Sequence, residues 1–361
     1  MLIGGTLARY ISLRFVRTIA LVFATVFGLV YTLDFVELMR RAGDAEGATP
    51  GLLARLSLYR TPAVAEQVFP FAVLFGSMAA LLQLSRKLEL VVARAAGISA
   101  WQFLLPGLGV AILLGAVTVG LYNPLSARLK LEASSVESTL FGRKMKGVGP
   151  DIWIQQRSVD GSAIIRAGGA VEATSTISGV TVFAFDKAGR FRERIEAPEG
   201  KLRDGYWEFA NAQVLAVGDE PRTYASYLLS TNLASSQLRQ TFMPPESVPF
   251  WRLPETIART EGGGFDATRY RLQYDMLLAR PLLFVAMVLL AAAVSLRFFR
   301  FGGVAPMVLG GVAAGFLLYV ITEIMRDLGN AGLVAPVIAA WFPSILGSLL
   351  GTLALLYQED G

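Results

Sequence analysis

The 361-residue sequence contains no cysteine and no histidine. Without cysteine there is no disulfide, no thiolate metal ligand and no cysteine nucleophile, and the redox compartment stays open, because such an absence fits either side of a membrane. Without histidine, Ser-His-Asp chemistry, histidine general bases and the usual zinc sites fall away. A hydrolase would have to work with carboxylates, lysine or a serine-lysine pair. Charge is scarce as well: 17% of the residues are charged and 54% hydrophobic, against about 25% and 45–50% in soluble proteins. That much apolar side chain has to face lipid. No Walker-type phosphate loop occurs, so any work driven by nucleotide uses nucleotide held by another chain. The net charge of +5 gives no nucleic-acid surface, since the basic residues are scattered or sit beside apolar runs, as juxtamembrane arginines do.

Crossing a hydrocarbon core takes about 20 apolar residues, and six runs come near that length: roughly 18–33, 62–84, 101–122, 276–296, 304–324 and 333–357. Arg9, Arg14 and Arg17 precede the first run as in a signal peptide, but the run is longer than a signal h-region and five more follow, so it is expected to remain as a span. With the N-terminus inside, Arg9, Arg14, Arg17, Arg86, Lys87, Arg94, Arg297 and Arg300 fall on the cytoplasmic side. The short outer loops then hold Arg40, Arg41, Arg55, Arg60 and Arg326. The bias favours both termini in the cytoplasm and the long interval 123–269 outside.

That interval alternates at period two in Asp151–Arg157, Gly179–Asp186, Tyr206–Phe209 and Val214–Val217, the pattern of half-buried strands. Turn signals recur at Asp160-Gly161, Gly168-Gly169, Lys187-Ala-Gly189, Asp204-Gly205 and Gly218-Asp219. A small all-β sandwich or open roll is expected, entered by a helix over 126–146 and left through a hinge at Gly262-Gly-Gly264. Three parts result: residues 1–122 with three spans and a charged loop helix at about 85–97, residues 123–269 as the β insert, and residues 270–361 with three further spans.

The loop helix lies within residues 84–100. At 3.6 residues per turn Leu84, Leu88, Val91 and Ala95 share one face, Leu90 falls off it, and Gly97 is a natural stop. It reads either as an interfacial helix or as a docking helix whose Arg86, Lys87, Glu89 and Arg94 rim an apolar anchor. At the other end of the first span, Glu37, Arg40 and Arg41 fall within about two helical turns. They either snorkel to headgroups or form a basic collar for a phosphate-bearing lipid. Glu66, and Glu323 with Arg326 and Asp327, stand at membrane depth and are expected to face the bundle interior with partners. Gly311 with Gly315, and Gly347 with Gly351, are i and i+4 pairs suited to close helix approach. Phe69, Phe71, Phe75, Phe316 and Tyr319 either line a greasy cavity or simply pack.

Six spans split three and three around a β insert, with a charged helix in the first cytoplasmic loop, form a plan that resembles the LptF/LptG permease family of bacterial lipopolysaccharide export. The strings that carry the resemblance are Phe35-Val-Glu-Leu-Met-Arg-Arg-Ala-Gly43, Pro70-Phe-Ala-Val-Leu-Phe-Gly76, Glu89-Leu-Val-Val-Ala-Arg-Ala-Ala-Gly97 and the last two spans around Ala335-Pro336 and Trp341-Phe-Pro343. The Arg-Arg-Ala-Gly end of the first span and the closing spans resemble the LptG branch. The order and spacing of the strings span essentially the whole chain.

The resemblance implies an α-helical inner-membrane protein of six transmembrane helices with an inserted extracytoplasmic all-β domain, similar to a β-jellyroll. It implies a heterodimer with an LptF-like paralogue whose cavity accepts lipopolysaccharide, and a periplasmic insert that passes the lipid to LptC and LptA. Two LptB ATPase subunits would bind ATP and magnesium and engage the loop helix, so no cofactor is expected in this chain and it is not itself an enzyme. Asp34 departs from the family, whose first span commonly has a lysine there. Arg40, Arg41, Arg128 and Lys130 remain to hold headgroup phosphates. Two other classes stay open: a membrane scaffold or mechanotransmission subunit that moves no lipid, and a lipid-modifying enzyme, for which the spans offer no clear cluster of acids.

Overall fold

The computed structural model describes residues 5–43, 49–141, 152–158, 161–171, 176–187, 189–216, 218–231, 244–262, 266–301 and 304–360. They form two compact units, one of Met1–Val136 with Pro245–Gly361 and one of Glu137–Pro244. The sheet unit is therefore narrower than 123–269. Residues 123–136 continue a span, and residues 245–262 and 266–269 belong to the helical unit, while the hinge expected at Gly262-Gly-Gly264 falls largely outside the described residues.

The helical unit contains α1 (Gly5–Ala42), α2 (Pro50–Arg86), α3 (Glu89–Ala95) and α4 (Ala100–Val117). A π turn, Thr118–Tyr122, joins α4 to α5 (Asn123–Phe141). After the sheet come 3-10 turns at Pro245–Ser247 and Phe250–Arg252, then α6 (Leu253–Gly262), α7 (Thr268–Phe301), α8 (Val304–Asn330) and α9 (Pro336–Asp360). Six of these segments are long and apolar enough to cross a membrane, and each overlaps one of the six runs read from the sequence, the last run beginning three residues before α9.

Local signals set the helix starts. Thr49 accepts the Leu52 amide at 3.4 Å with Pro50 at the first helical position. Ser99 and Gln102 form a reciprocal capping box at 3.2 Å in both directions. Pro62, Pro70, Pro106, Pro281 and Pro343 lie inside helices. Spans tolerate them because neighbouring helices and side chains re-satisfy the freed carbonyls.

The second and fourth spans, α2 and α7, form the centre of the bundle. Phe69, Leu74, Phe284 and Met287 are buried there together with Phe15 and Leu104. Small residues set the spacing. A Cβ on Gly115 would lie 2.5 Å from the Pro281 Cα, and one on Gly311 would lie 2.4 Å from the Met78 sulfur. Gly315 lies under Leu74, Gly347 under Leu318 and Ala286, and Gly351 under Leu289. Both glycine pairs therefore serve close packing, as their spacing suggests.

The loop helix differs from the sequence expectation. α2 ends at Arg86, and Leu88 takes a left-handed φ of 59°, which resets the helical phase before α3 begins. Leu90 and Ala93 consequently turn inward, while Leu88, Val91 and Val92 are exposed. The expected apolar face of Leu84, Leu88, Val91 and Ala95 is thus broken, and Leu90, which fell off it, is buried. Gly97, at φ 80°, is the expected stop.

The sheet unit is an antiparallel meander of six strands in sequence order: β1 (Ile152–Ser158), β2 (Gly161–Val171), β3 (Thr176–Phe185), β4 (Phe191–Arg203), β5 (Tyr206–Ala216) and β6 (Arg222–Ser230). The expected all-β insert is present. One face is apolar, with Ile165, Val182, Ile195, Trp207 and Phe209 all fully buried.

Gly168-Gly169 is no turn. It lies inside β2, where Gly168 comes opposite Gly179, whose φ is 61°. Tyr206–Phe209 and Val214 onward are one strand, with Asn211 at φ 49° shifting its phase. The sheet curls until its edges touch through side chains. Gln156 of β1 donates to the Ser230 carbonyl at 3.3 Å and accepts from Trp207 Nε1 at 3.1 Å and Thr231 Oγ1 at 2.6 Å. Ser230 and Ser158 hydroxyls meet at 3.1 Å. The open roll is closed at this corner by a polar seam instead of a backbone ladder.

Candidate functional site

The candidates of the loop helix gather around α3. Because the phase reset brings Glu89 back toward the first span, Arg14 Nη1 reaches both of its carboxylate oxygens, at 3.2 and 3.1 Å. The Tyr10 hydroxyl adds a third bond at 3.1 Å, and the Arg14 guanidinium carbon lies 5.4 Å from the centre of the Tyr10 ring. In the sequence Arg14 looks like an ordinary juxtamembrane arginine, and Tyr10 carries no signal at all. Arg86 and Lys87 are exposed beside this clasp. The side chain of Arg94 lies outside the described residues. With exposed Leu88, Val91 and Val92, the loop presents a small apolar surface with positive charge at one side and its acid held from behind.

The C-terminal end of the first span holds the second group. Glu37 forms a fork with Arg40, whose Nε and Nη2 donate at 2.9 Å each, and with Arg41, whose Nε donates at 2.7 Å. These groups are exposed, so their mutual attraction adds little stability, and the arginines keep donors for a further anion. Asp34 faces Arg60 of the second span at 3.6 Å. Asp34 is thus matched by a basic partner one helix away. Arg55 donates to the Tyr59 hydroxyl at 2.8 Å in the N-terminal part of α2. Arg128 is exposed on α5, and Lys130, two residues on, is engaged by Glu246 at 3.3 Å. No described contact joins those two to the Glu37 group.

The aromatic set divides. Phe69 is core: it stacks on Phe23 at 4.2 Å and on Phe284 at 5.6 Å, and meets Tyr122 edge-on at 5.7 Å. Phe75 is half-buried against the same core. Phe71 of α2 meets Tyr319 of α8 at 5.5 Å, and Phe316 stands 60% exposed one turn away. Only Phe71, Phe316 and Tyr319 therefore share an accessible flank. The first span has 6% of its apolar stretch buried and the fifth 17%, against 61% for the second and 56% for the fourth. Among the described residues α1 and α8 are the least covered of the six spans.

Of the ionisable residues expected to be paired at membrane depth, Glu66, Glu323 and Arg326 have partners, while Asp327 is exposed. Glu66 is held by Arg280 and by Asn123 Nδ2 at 2.9 Å, and Glu323 by Arg326. In the sheet unit the Tyr227 hydroxyl donates to Glu193 at 2.8 Å. Burial first, and then the Glu193 carboxylate, push that phenol up to about 12.

The family model described as lipopolysaccharide export system permease LptF/LptG matches residues 9–358. The lipopolysaccharide export system permease protein LptG of Escherichia coli K12 is 24% identical over 351 residues, covering 94% of this chain and 95% of that protein. The protein of the same name from Haemophilus influenzae Rd is 23% identical over 353 residues, covering 95% and 96%.

Proposed function

The chain belongs to the LptF/LptG family of lipopolysaccharide export permeases, and from that premise we propose that it is one half of the membrane part of an ABC transporter. It takes lipopolysaccharide from the outer leaflet of the inner membrane and passes it to a periplasmic bridge of β-jellyroll proteins, LptC and LptA. Its other half is an LptF-like paralogue, and its energy comes from a dimer of LptB that binds ATP and magnesium. The N-terminus and the α3 loop face the cytoplasm, and the sheet unit is periplasmic.

The observation that carries this reading is the uneven cover of the bundle. Spans one and five have so little of their apolar surface buried that a lipid or a second subunit is needed against them. An acyl-chain cavity between the paralogues supplies that contact, with Phe71, Phe316 and Tyr319 on its wall and Arg40, Arg41 and Arg60 near its outer rim. Arginine suits a phosphorylated headgroup, because its planar fork pairs with two phosphate oxygens at once.

Transmission runs through the loop. The ATPase takes the exposed Leu88, Val91 and Val92 with Arg86 and Lys87 at the rim. Its movement reaches the first span through Glu89 and Arg14, and the cavity narrows by displacement of rigid helices, with no covalent step in this chain.

The test is co-expression of the tagged chain with its paralogue and ATPase, followed by mild purification. Retention of the ATPase by the native chain, and its release or uncoupled turnover on Glu89→Ala, supports the permease reading. Absence of any co-purifying ATPase favours a scaffold that moves no lipid.

A further inference from the structure

In the π turn of the third span the Asn123 amide reaches back five residues to the Thr118 carbonyl. Such turns recur at functional places because they push a carbonyl and a side chain out of the regular ladder. Here the surrounding groups are taken up from elsewhere in the chain. The Gly120 carbonyl accepts the Trp251 indole N–H at 3.0 Å. Asn123, 1% exposed, uses both ends of its amide: Nδ2 donates to Glu66 of the second span at 2.9 Å, and Oδ1 accepts the Phe250 backbone N–H at 3.0 Å. The same oxygen of Glu66 is gripped by Arg280 of the fourth span.

One buried side chain therefore joins an ion pair between two central spans to residues 245–252, the segment by which the chain returns from the sheet unit. That segment is seated on the helical unit in other ways as well. Val248 and Leu253 pack with Val119, Tyr270 and Leu277, and Glu246 engages Lys130. An ion pair alone would be enough to hold α2 to α7. Asn123 adds polarity matching: it presents a donor to the carboxylate and an acceptor to a backbone donor, and the carboxylate fixes which way its amide faces. A tyrosine reinforces the junction, since the Tyr122 hydroxyl donates to the Pro62 carbonyl at 3.0 Å.

We infer that Asn123 is a positioning residue that makes the hold on residues 245–252 conditional on the Glu66 to Arg280 ion pair. Separation of the second and fourth spans thereby releases the segment leading out of the insert. The inference concerns this chain alone and stands whether or not the transporter reading does.

Hydrogen exchange of the purified full chain in lipid nanodiscs tests it, with the amides of Val248–Arg252 as readout and those of Leu289–Ala293, deep in the fourth span, as the control. Asn123→Ala should speed exchange at Phe250 and its neighbours by about tenfold. Glu66→Gln, which keeps the shape and removes the charge, should do the same although residue 66 does not touch the segment. Control amides should stay protected in both variants. If Asn123→Ala acts and Glu66→Gln does not, the asparagine holds the segment unconditionally and the inference fails. It fails equally if neither variant acts, or if control and segment amides loosen together in both, since the cluster is then only a brace for the bundle.

Discussion

Arg14 and Glu89, 75 residues apart, meet through one guanidinium nitrogen that contacts both carboxylate oxygens. The pair is half-sheltered, with 13% and 30% of the two side chains exposed. A double-mutant cycle is therefore expected to give a coupling of about 1 kcal/mol. In the reconstituted transporter Arg14→Ala should lower coupled ATP turnover as Glu89→Ala does, and the double variant should be no worse than either single. Additive losses would mean that Glu89 acts on the partner directly and that Arg14 has a separate role.

Close helix contact makes a second prediction. Gly115→Val drives a side chain into Pro281, whose Cα would lie 2.5 Å from the new Cβ, and should cost about 1–3 kcal/mol. At Gly109, six residues earlier, a Cβ would meet nothing within 4 Å, so Gly109→Ala should be neutral or stabilising by up to about 1 kcal/mol. Thermal unfolding of both variants in detergent checks the contrast.

The polar seam of the roll makes a third. Gln156→Leu removes the acceptor of both the Trp207 indole and the Thr231 hydroxyl. Each buried donor left unmet costs about 1–3 kcal/mol. Limited proteolysis of the full chain should then cut within β1 or β6 well before the helical unit is attacked.

Tyr227 gives the pH dependence. Its folded pKa is pushed up from 10.0 to about 12, by burial first and then by Glu193. A group raised in this way contributes stability that is complete below pH 10 and is lost as pH climbs through about 12. Tyr227→Phe should abolish that component of alkaline loss. In a phenolate absorbance titration, the difference between wild type and variant should be one tyrosine titrating near 12, and a difference centred near 10 would contradict it.

Much of this architecture was legible in the sequence, because lipid imposes a plain rule. A span needs a long apolar run; five of the six runs lie wholly inside helices, and the sixth begins three residues before α9. The glycine spacing in α8 and α9 was legible for a similar reason, since small residues four apart have few uses on a membrane helix. Strands β2, β4 and β6 do not show as period-two runs in the sequence. β4 carries charges along its exposed face, from Arg192 and Arg194 to Glu196 and Glu199, and Gly168-Gly169 in β2 imitates a turn. The left-handed Leu88 was unreadable because a leucine there breaks local preference, and it moved the apolar face of α3. Pairings such as Arg14 with Glu89, Asp34 with Arg60 and Asn123 with Phe250 join distant stretches of chain, which no periodicity reports. A glutamate at membrane depth such as Glu66 calls for a partner, but which one is decided by the packing of α2 on α7.

The measurement that tests the central claim most directly is transfer of lipopolysaccharide from proteoliposomes, containing the chain with its paralogue and ATPase, to a soluble β-jellyroll acceptor. With ATP the lipid should accumulate on the acceptor, and a photo-crosslinking group placed at Phe316 should capture it on the way. Arg14→Ala and Glu89→Ala should suppress both signals. ATP turnover without lipid on the acceptor, or equal transfer with and without ATP, would contradict the permease assignment and leave the chain as a scaffold.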